Sequence, residues 1–290
     1  MMQEKISLLL PTRGRVPLAK RFLQSVVDQT TQLDNVEIII RVDDDDIESH
    51  QLNFDGLSTK LLIGPKTSMG GYNTECFNES TGEIIVLVND DMVIQTQGWD
   101  EKLRALHRKI EDKIYLAYGN DLFKKGDLCT FPILSRMCCE LLQQPYHIAY
   151  RGAFIDYHLM DIFKRLEISG FNRIFYLDDV VFEHLHYRTG KAEIDETYKA
   201  RGRFDDDMLF ISLKGVREAS YDILFNAINK KPSKSAQLPK ATILDKPSNL
   251  FKAFYLYSKI FLLDSQLPFK WRFFMWWWFG ARYMASVVLK

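Results

Sequence analysis

The chain of 290 residues is 47% hydrophobic and 26% charged, which excludes an intrinsically disordered protein and is typical of one large globular domain with an extension. Its 38 basic and 38 acidic side chains give a formal net charge of zero. Composition therefore gives no electrostatic reason to expect binding to nucleic acid, and we expect no nucleic acid partner.

The cysteines and the N-terminal residues favour a cytoplasmic protein. The four cysteines include the adjacent pair Cys138 and Cys139 and show no CxxC spacing, which argues against a disulfide framework and against a zinc site. Met1–Lys5 leads directly into an apolar run, without the basic region, long apolar stretch and cleavage site of a signal peptide. We expect free thiols in a reducing compartment.

The first hundred residues alternate apolar runs with helical patterns. Ile6–Leu10, Val36–Val42 and Leu61–Ile63 are apolar runs that end in turn-forming or acidic residues. Glu83–Val88 is almost continuously apolar, as expected for a strand buried on both faces. Strands that alternate with helices predict a mostly parallel α/β sheet, in which ligands bind at the carboxyl ends of the strands.

The acidic turn Asn89-Asp90-Asp91 follows the last of these strands. Carboxylates at such a position can hold a divalent cation, which neutralises the charge of a diphosphate leaving group. Asn and Asp are also common in solvated turns, so the turn by itself does not distinguish a metal site from an ordinary loop.

Four strand-end motifs together resemble the nucleotide-sugar-binding half of the GT-A glycosyltransferases. They are Pro11-Thr12-Arg13, Asp43, Gly70-Gly71-Tyr72-Asn73 and Asn89-Asp90-Asp91. The resemblance is to the large inverting family of bacterial polysaccharide and glycolipid transferases, glycosyltransferase family 2-like, and covers Ile6–Trp99 well and the rest loosely. It implies a GT-A fold, which is a Rossmann-like mixed α/β sheet flanked by helices.

The same resemblance implies metal-dependent, inverting transfer of a sugar from a nucleotide-sugar donor, a UDP-sugar, to a lipid-linked or cell-surface glycan such as a lipopolysaccharide, capsule or related glycolipid. Donor-binding roles then fall on Pro11, Thr12, Arg13, Asp43, Gly71, Asn73, Asn89, Asp90 and Lys191. Two alternatives stay open. The acidic run after Val42 is also typical of a charged, solvated loop, and Asn73 is also typical of a helix cap.

The metal, Mn²⁺ or Mg²⁺, is expected on Asp91, because Asn89 replaces the first acid of the family's DxD motif. The resemblance also offers His184 or His186 as a further ligand, since some GT-A enzymes use a late histidine in this way. Alternation along a strand would direct both histidines to the same face. Neutral histidines bonded to Glu183 and to backbone are the alternative interpretation.

The catalytic base that the resemblance implies is an acid at the start of a helix in the acceptor half. Asp156, which follows Gly152-Ala153-Phe154-Ile155, is the first candidate and Asp161 the second. Such an acid can take the proton of an acceptor hydroxyl. Acids near a helix N-terminus also stabilise the helix dipole, so a structural role is the alternative for both.

The expected domain organisation is a catalytic domain over residues 1–229, a linker over 230–249 and a tail over 250–290. The catalytic domain divides into a nucleotide-sugar-binding half, 1–99, and an acceptor half, 100–229. The linker is predicted from its prolines with intervening Ser and Lys.

The tail is rich in aromatic residues, with an amphipathic pattern over Leu250–Leu263 and three consecutive tryptophans between Arg272 and Arg282. The uncharged part is too short to span a bilayer, whereas Trp, Tyr and Arg favour the headgroup region. We expect a helical membrane-associating extension that holds the protein on the inner face of the cell membrane. A helix pair packed on the catalytic domain or on a partner is the alternative.

Two other functions compete with a glycosyltransferase. A sugar nucleotidyltransferase usually has a more Gly-rich loop after the first strand than Pro11–Arg15. A non-catalytic carbohydrate-binding or scaffold subunit with the same fold is compatible with the asparagine at position 89.

Overall fold

A mixed sheet organises the first part of the chain. The computed structural model describes residues 4–185, 190, 202, 204–231 and 238–288, and within them the sheet has eight strands in the order β3-β2-β1-β4-β7-β6-β8-β5. The strands are β1 (Ile6–Pro11), β2 (Val36–Asp43), β3 (Ser58–Gly64), β4 (Ile84–Leu87), β5 (Met92–Ile94), β6 (Leu116–Asn120), β7 (Ile133–Ser135) and β8 (Ile174–His184).

Strand direction brings many loops to one edge of this sheet. β1 pairs in parallel with both β2 and β4, and β2 with β3. β7 is antiparallel to β4 and to β6, and β8 is parallel to β6. The carboxyl ends of β1, β2, β3, β4, β6 and β8 therefore lie at the same edge, where a ligand is expected in an open α/β sheet.

Helices flank the sheet and form most of the remaining chain. In the described residues they are α1 (Val16–Gln29), α2 (Met69–Glu79), α3 (Trp99–Lys109), α4 (Arg136–Leu141), α5 (Ile155–Ile168), α6 (Asp207–Ser212), α7 (Lys214–Ile228), α8 (Leu250–Tyr257), which continues as a π-helical turn over Ser258–Leu262, and α9 (Phe269–Val288).

The central strands are buried along their whole length, as their apolar sequences require. Every residue of β1, β2 and β4 is buried. Glu37 is one of two acids in β2, and its carboxylate accepts hydrogen bonds from Ser7 Oγ at 2.6 Å and from the Thr81 N–H at 2.6 Å, and pairs with Lys5. These bonds compensate the desolvation of a buried charge.

The described chain forms two compact units. One runs through Ala149 and resumes with β8 at Ile174, and the other comprises Tyr150–Arg173 and the described residues after Arg201. These boundaries differ from the expected ones at 99/100 and 229/230. The second unit is built by helices, because α5 packs on α7 and the tail helices join the same core.

A buried ionic network holds the second unit together. Arg165 and Arg217 both donate to Asp161 Oδ1, at 3.1 and 3.0 Å, and Arg165 also donates to Asp264 Oδ2 at 2.8 Å. Trp271 Nε1 lies 3.4 Å from Asp161 Oδ2. Breaking one member of such a network leaves an uncompensated buried charge, which is strongly destabilising.

The tail helices have two different faces. Met275, Phe279 and Tyr283 of α9 are buried, and the Phe279 ring lies 4.9 Å from the Phe261 ring. Phe251 is 87% exposed and Trp277 is 56% exposed. The inner face thus belongs to the core of the second unit, as the packed-helix interpretation predicts, while the outer face stays aromatic and exposed.

The described part of the predicted linker contacts this second unit. The Thr242 N–H donates to the Ser212 carbonyl at 3.2 Å, and Lys246 Nζ donates to Ser286 Oγ at 2.7 Å. In the part of the chain that the structure describes, none of the helices has both the length and the apolar composition that crossing a membrane requires.

Candidate functional site

The loop after β1 is bonded to the acidic turn after β4. Thr12 Oγ1 donates to Asp90 Oδ2 at 2.7 Å, and Arg15 Nη1 donates to Asp90 Oδ1 at 3.0 Å. Asp90 is 4% exposed, and burial together with the neighbouring Asp91 charge raises its pKa to about 6, although Arg15 acts in the opposite direction. Asp90, the middle residue of Asn89-Asp90-Asp91, therefore fixes the β1 loop.

Asp43, the last residue of β2, is the centre of a second cluster. It is 1% exposed, and it accepts hydrogen bonds from Arg13 Nη1 and from the Tyr72 hydroxyl, each at 2.6 Å. Burial and the bond to Asp43 raise the pKa of Tyr72 to about 12. The Arg41 guanidinium lies 5.1 Å from the Tyr72 ring centroid. Arg13, Asp43 and Tyr72 thus come together from the loop after β1, from β2 and from α2.

Two further acids that follow β2 form hydrogen bonds to the β1 loop. Asp45 forms a two-point contact with Arg13, in which Nη2 donates to Oδ2 at 2.7 Å, and Asp46 accepts from the Gly14 N–H at 2.7 Å. Gly14 has a φ of +61°, the left-handed region that suits glycine. Asp45 and Asp46 are therefore tied to the β1 loop, while Asp44 is exposed.

Helix α2 begins at Met69, before the predicted cap residue Asn73. Ser68 is its N-cap and accepts from the Gly71 N–H at 2.9 Å, so Asn73 lies inside the helix and does not cap it. The Asn73 amide donates to the Met69 carbonyl at 2.9 Å, and Asn73 Oδ1 is buried without a hydrogen-bond partner among the described residues. A Cβ at Gly70 would collide with the His147 carbonyl.

The last acid of the turn lies against a histidine. Asp91 Oδ2 is 3.3 Å from His184 Nε2, and the two residues are 4% and 8% exposed. Antiparallel pairing of β5 with β8 sets Met92 opposite His184 and so fixes this approach. The His184 ring is also 5.2 Å from the Phe131 ring.

A carboxylate oxygen and an imidazole nitrogen at this separation fit the first two ligands of a divalent cation. No cluster of three or more His, Cys, Asp or Glu side chains suited to a metal occurs among the residues described here.

Four predicted residues need separate comment. Asn89 is half-buried, and its carbonyl accepts from the Met92 N–H at 3.2 Å. Pro11 ends β1, where the chain leaves the sheet edge. His186 and Lys191 lie outside the residues that the structure describes, so their predicted roles stay predictions.

The structure also adds an organising residue that the sequence analysis did not select. Asp121 directly follows β6 and is 2% exposed. Its Oδ1 accepts from the N–H groups of Phe123, Lys124 and Lys125 at 2.9, 2.7 and 2.7 Å, and its Oδ2 accepts from Thr130 Oγ1 at 2.9 Å. An acid directly after an apolar strand was the signal that could have identified it.

The two candidate bases occupy different environments in the second unit. Asp156 is in the first turn of α5 and is half-buried. Asp161 is 1% exposed and belongs to the network with Arg165 and Arg217. Because this carboxylate is buried and already accepts hydrogen bonds from two arginines, the geometry favours a structural role for Asp161.

Comparisons with known proteins identify the fold. No family model matches the chain, and no curated protein matches it in sequence. A structure of S. aureus TarS 1-349 with UDP-GlcNAc is similar over 96% of this chain and 88% of that one, with a TM-score of 0.58 and 14% identity. A structure of S. aureus TarS matches over 97% of this chain and 53% of that one, with a TM-score of 0.56 and 12% identity.

A further structure, S. aureus TarS 1-349 with UDP, is similar over 78% of this chain and 71% of that one, with a TM-score of 0.53 and 15% identity. At such identities the likeness concerns the fold. The chain has a GT-A-like glycosyltransferase fold, a mixed α/β sheet flanked by helices with a helical C-terminal extension, and the predicted fold class is confirmed.

Proposed function

We propose that the protein is a metal-dependent glycosyltransferase that moves a sugar from a nucleotide-sugar donor to a glycan or glycolipid acceptor. The observation that carries this proposal is the meeting of the β1 loop with Asp43 and Asp90 at the carboxyl edge of a GT-A-like sheet, next to the pair of Asp91 and His184. A nucleotide diphosphate binds at that edge in open α/β sheets.

The donor is proposed to be a UDP-sugar, since the similar TarS structures contain UDP and UDP-GlcNAc. Its nucleoside would contact the cluster of Arg13, Asp43 and Tyr72, and its diphosphate would lie toward Asp90 and Asp91. Arg15, which is bonded to Asp90, would supply positive charge near the diphosphate. Lys191 is proposed to contribute a second positive charge to the diphosphate.

Asp91 and His184 are the proposed protein ligands of the metal. Their mixed oxygen and nitrogen donor set suits Mn²⁺ better than Mg²⁺, which prefers oxygen ligands throughout. When bound, the cation would neutralise charge on the diphosphate leaving group.

Asp156 is the proposed base of an inverting transfer. It would take the proton of the acceptor hydroxyl while that oxygen bonds to the anomeric carbon and the bond between this carbon and the diphosphate breaks. The products are the glycosylated acceptor, the nucleoside diphosphate and a protonated Asp156.

The exposed face of the tail supports a membrane-proximal acceptor. Phe251, Tyr255 and Trp277 are 87%, 68% and 56% exposed. Lys252 and Lys259 lie in α8 and its π-helical continuation, near Phe251 and Tyr255 in the chain. Aromatic and basic side chains together favour the headgroup region of an anionic bilayer. We therefore propose that the protein acts as a peripheral protein on the inner face of the cell membrane, on a lipid-linked acceptor.

Calorimetry on the full chain tests the proposal. UDP-GlcNAc, UDP-glucose and GDP-mannose would each be titrated with MnCl₂ and with EDTA, and release of nucleoside diphosphate would be followed in parallel. We expect one donor to bind in the presence of Mn²⁺ and to be hydrolysed slowly without an acceptor. Absence of both binding and release would contradict the proposal and favour a scaffold subunit, whereas release of pyrophosphate from a nucleoside triphosphate and a sugar phosphate would indicate a nucleotidyltransferase.

A further inference from the structure

The loop before α5 is held by a single buried carboxylate. Asp206 is 2% exposed, and it accepts hydrogen bonds from three successive backbone N–H groups. The Arg151 N–H donates to Oδ1 at 3.2 Å, and the N–H groups of Gly152 and Ala153 donate to Oδ2 at 3.0 and 2.7 Å. Successive backbone N–H groups of this kind form an anion-binding concavity, which Asp206 fills from within the chain.

Asp206 does not use its carboxylate as an aspartate at its position usually does. Asp206 is the N-cap of α6, where an aspartate commonly accepts from the N–H groups of its own helix. Its side chain makes no such capping bond. The carboxylate is directed instead to a segment that is distant in sequence, the one that precedes α5.

The loop that Asp206 holds has an unfavourable backbone conformation. Gly152 has a φ of +139°, and Phe154, the N-cap of α5, has a φ of +62°, which is uncommon for a residue with a side chain. The Phe154 ring is packed 4.9 Å from Phe279 and 5.3 Å from Phe210. Such conformations persist only where the surroundings determine them, and they concentrate at functional sites.

From these contacts we infer that Asp206 is the positioning residue for Asp156. This inference rests on the proposed function, in which Asp156 is the base. Asp156 is two residues beyond Phe154, in the first turn of α5, so the conformation of 151–154 sets where its carboxylate lies. Asp206 would act through that backbone, without contact with donor or acceptor.

Three full-length variants test the inference, with Asp205→Asn as the matched control. Asp205 is adjacent, and its side chain accepts from Arg151 Nη1 at 3.2 Å. Asp206→Ala removes all three acceptor bonds and Asp206→Asn removes part of them. Gly152→Ala disturbs the same loop without changing any charge, because alanine disfavours a φ of +139°.

We expect Asp206→Ala and Gly152→Ala to lower the kcat of transfer by about 100-fold, the effect of a misplacement of about 1 Å. Donor Kd should stay within about 2-fold of wild type, and Asp205→Asn should transfer normally. The double variant Asp156→Ala with Asp206→Ala should be no slower than Asp156→Ala alone, because the two residues act as a unit.

Several outcomes overturn the inference. If both Asp206→Asn and Gly152→Ala transfer at the wild-type rate, the inference is wrong, even if Asp206→Ala fails to fold. A further loss of activity when Asp206→Ala is added to Asp156→Ala would assign Asp206 a general structural role. Failure of the wild-type protein to bind any nucleotide-sugar would instead contradict the proposed function, and calorimetry distinguishes that case.

Discussion

The Thr12 hydroxyl donates to the Asp90 carboxylate at 2.7 Å and so joins two loops that are 78 positions apart in the chain. Asp91, the next residue, contacts His184 from β8. The two acids of the turn therefore have different partners. Asp90 fixes the loop after β1, and Asp91 is the acid at the proposed metal position.

Thr12→Val should destabilise the protein and weaken donor binding together. Valine keeps the shape of threonine but leaves the buried Asp90 carboxylate with one hydrogen bond fewer, which costs about 1–3 kcal/mol of unfolding free energy. Urea denaturation and donor calorimetry measure the two effects. Thr12→Ser is the control, since it keeps the hydroxyl and should lose less than half as much. Equal effects of valine and serine would show that the hydrogen bond is unimportant.

Asp91→Asn should weaken Mn²⁺-dependent donor binding. The substitution removes the charged oxygen of the proposed ligand pair, and we expect the Mn²⁺ concentration that supports donor binding to rise by at least about 100-fold, more than the 10–100-fold typical of residues behind the ligands. His184→Gln should have a smaller effect in the same direction. Donor calorimetry across a range of MnCl₂ concentrations measures both. Unchanged Mn²⁺ dependence in Asp91→Asn would remove this residue from the metal site.

The sheet edge was largely predictable because each of its longer strands is an apolar run that can be recognised in the sequence itself. The apolar runs Ile6–Leu10 and Val36–Val42 end within one residue of β1 and β2. β5 and β7 were missed because three residues are too few to show a period. Their positions are set by pairing with β8 and β4, which is tertiary information.

Contacts within the site were less predictable than its location. Strand ends indicated that Asp43 and Asp91 lie at one edge, yet the partners Tyr72 and Arg15 depend on side-chain direction and on strand register. The bonds between Asp206 and the loop before α5 have no periodic signal at all. The metal and donor roles of these residues stay predictions.

Glu37→Gln should change how stability depends on pH. Burial raises the pKa of Glu37, but bonds from Lys5, Ser7 and Thr81 outweigh it, and the pKa falls from 4.5 to about 2. A depressed folded-state pKa gives stability that is fully present above about pH 4.5 and is lost as the pH falls toward 2. The charge contributes about 3 kcal/mol at neutral pH.

Urea denaturation at a series of pH values measures this effect. The difference in unfolding free energy between wild type and Glu37→Gln should be largest at neutral pH and should shrink below about pH 4.5. Glu111→Gln, at an exposed turn position, is the matched control and should leave the profile unchanged. A difference that does not vary with pH would mean that the carboxylate charge contributes nothing.

Replacing the exposed aromatic residues of the tail should weaken membrane binding without unfolding the protein. Serine at Phe251, Tyr255 and Trp277 removes apolar surface from the outer face, and co-sedimentation with anionic vesicles should fall by at least about 10-fold. Serine at the exposed Ile63 and Met137 of the first unit is the control. Undiminished sedimentation of the tail variant would exclude this face as the membrane contact.

The two faces of α9 decide how the tail can be studied and how it can vary. Met275 and Phe279 complete the interior of the second unit, so cutting the chain before Phe269 would expose a core and produce a protein that aggregates whatever its affinity for lipid. On this helix the proposed membrane contact and the packing that folds the second unit belong to different positions. The outward positions can be exchanged for others that suit a different bilayer or a soluble acceptor, provided that the inward positions keep their volume.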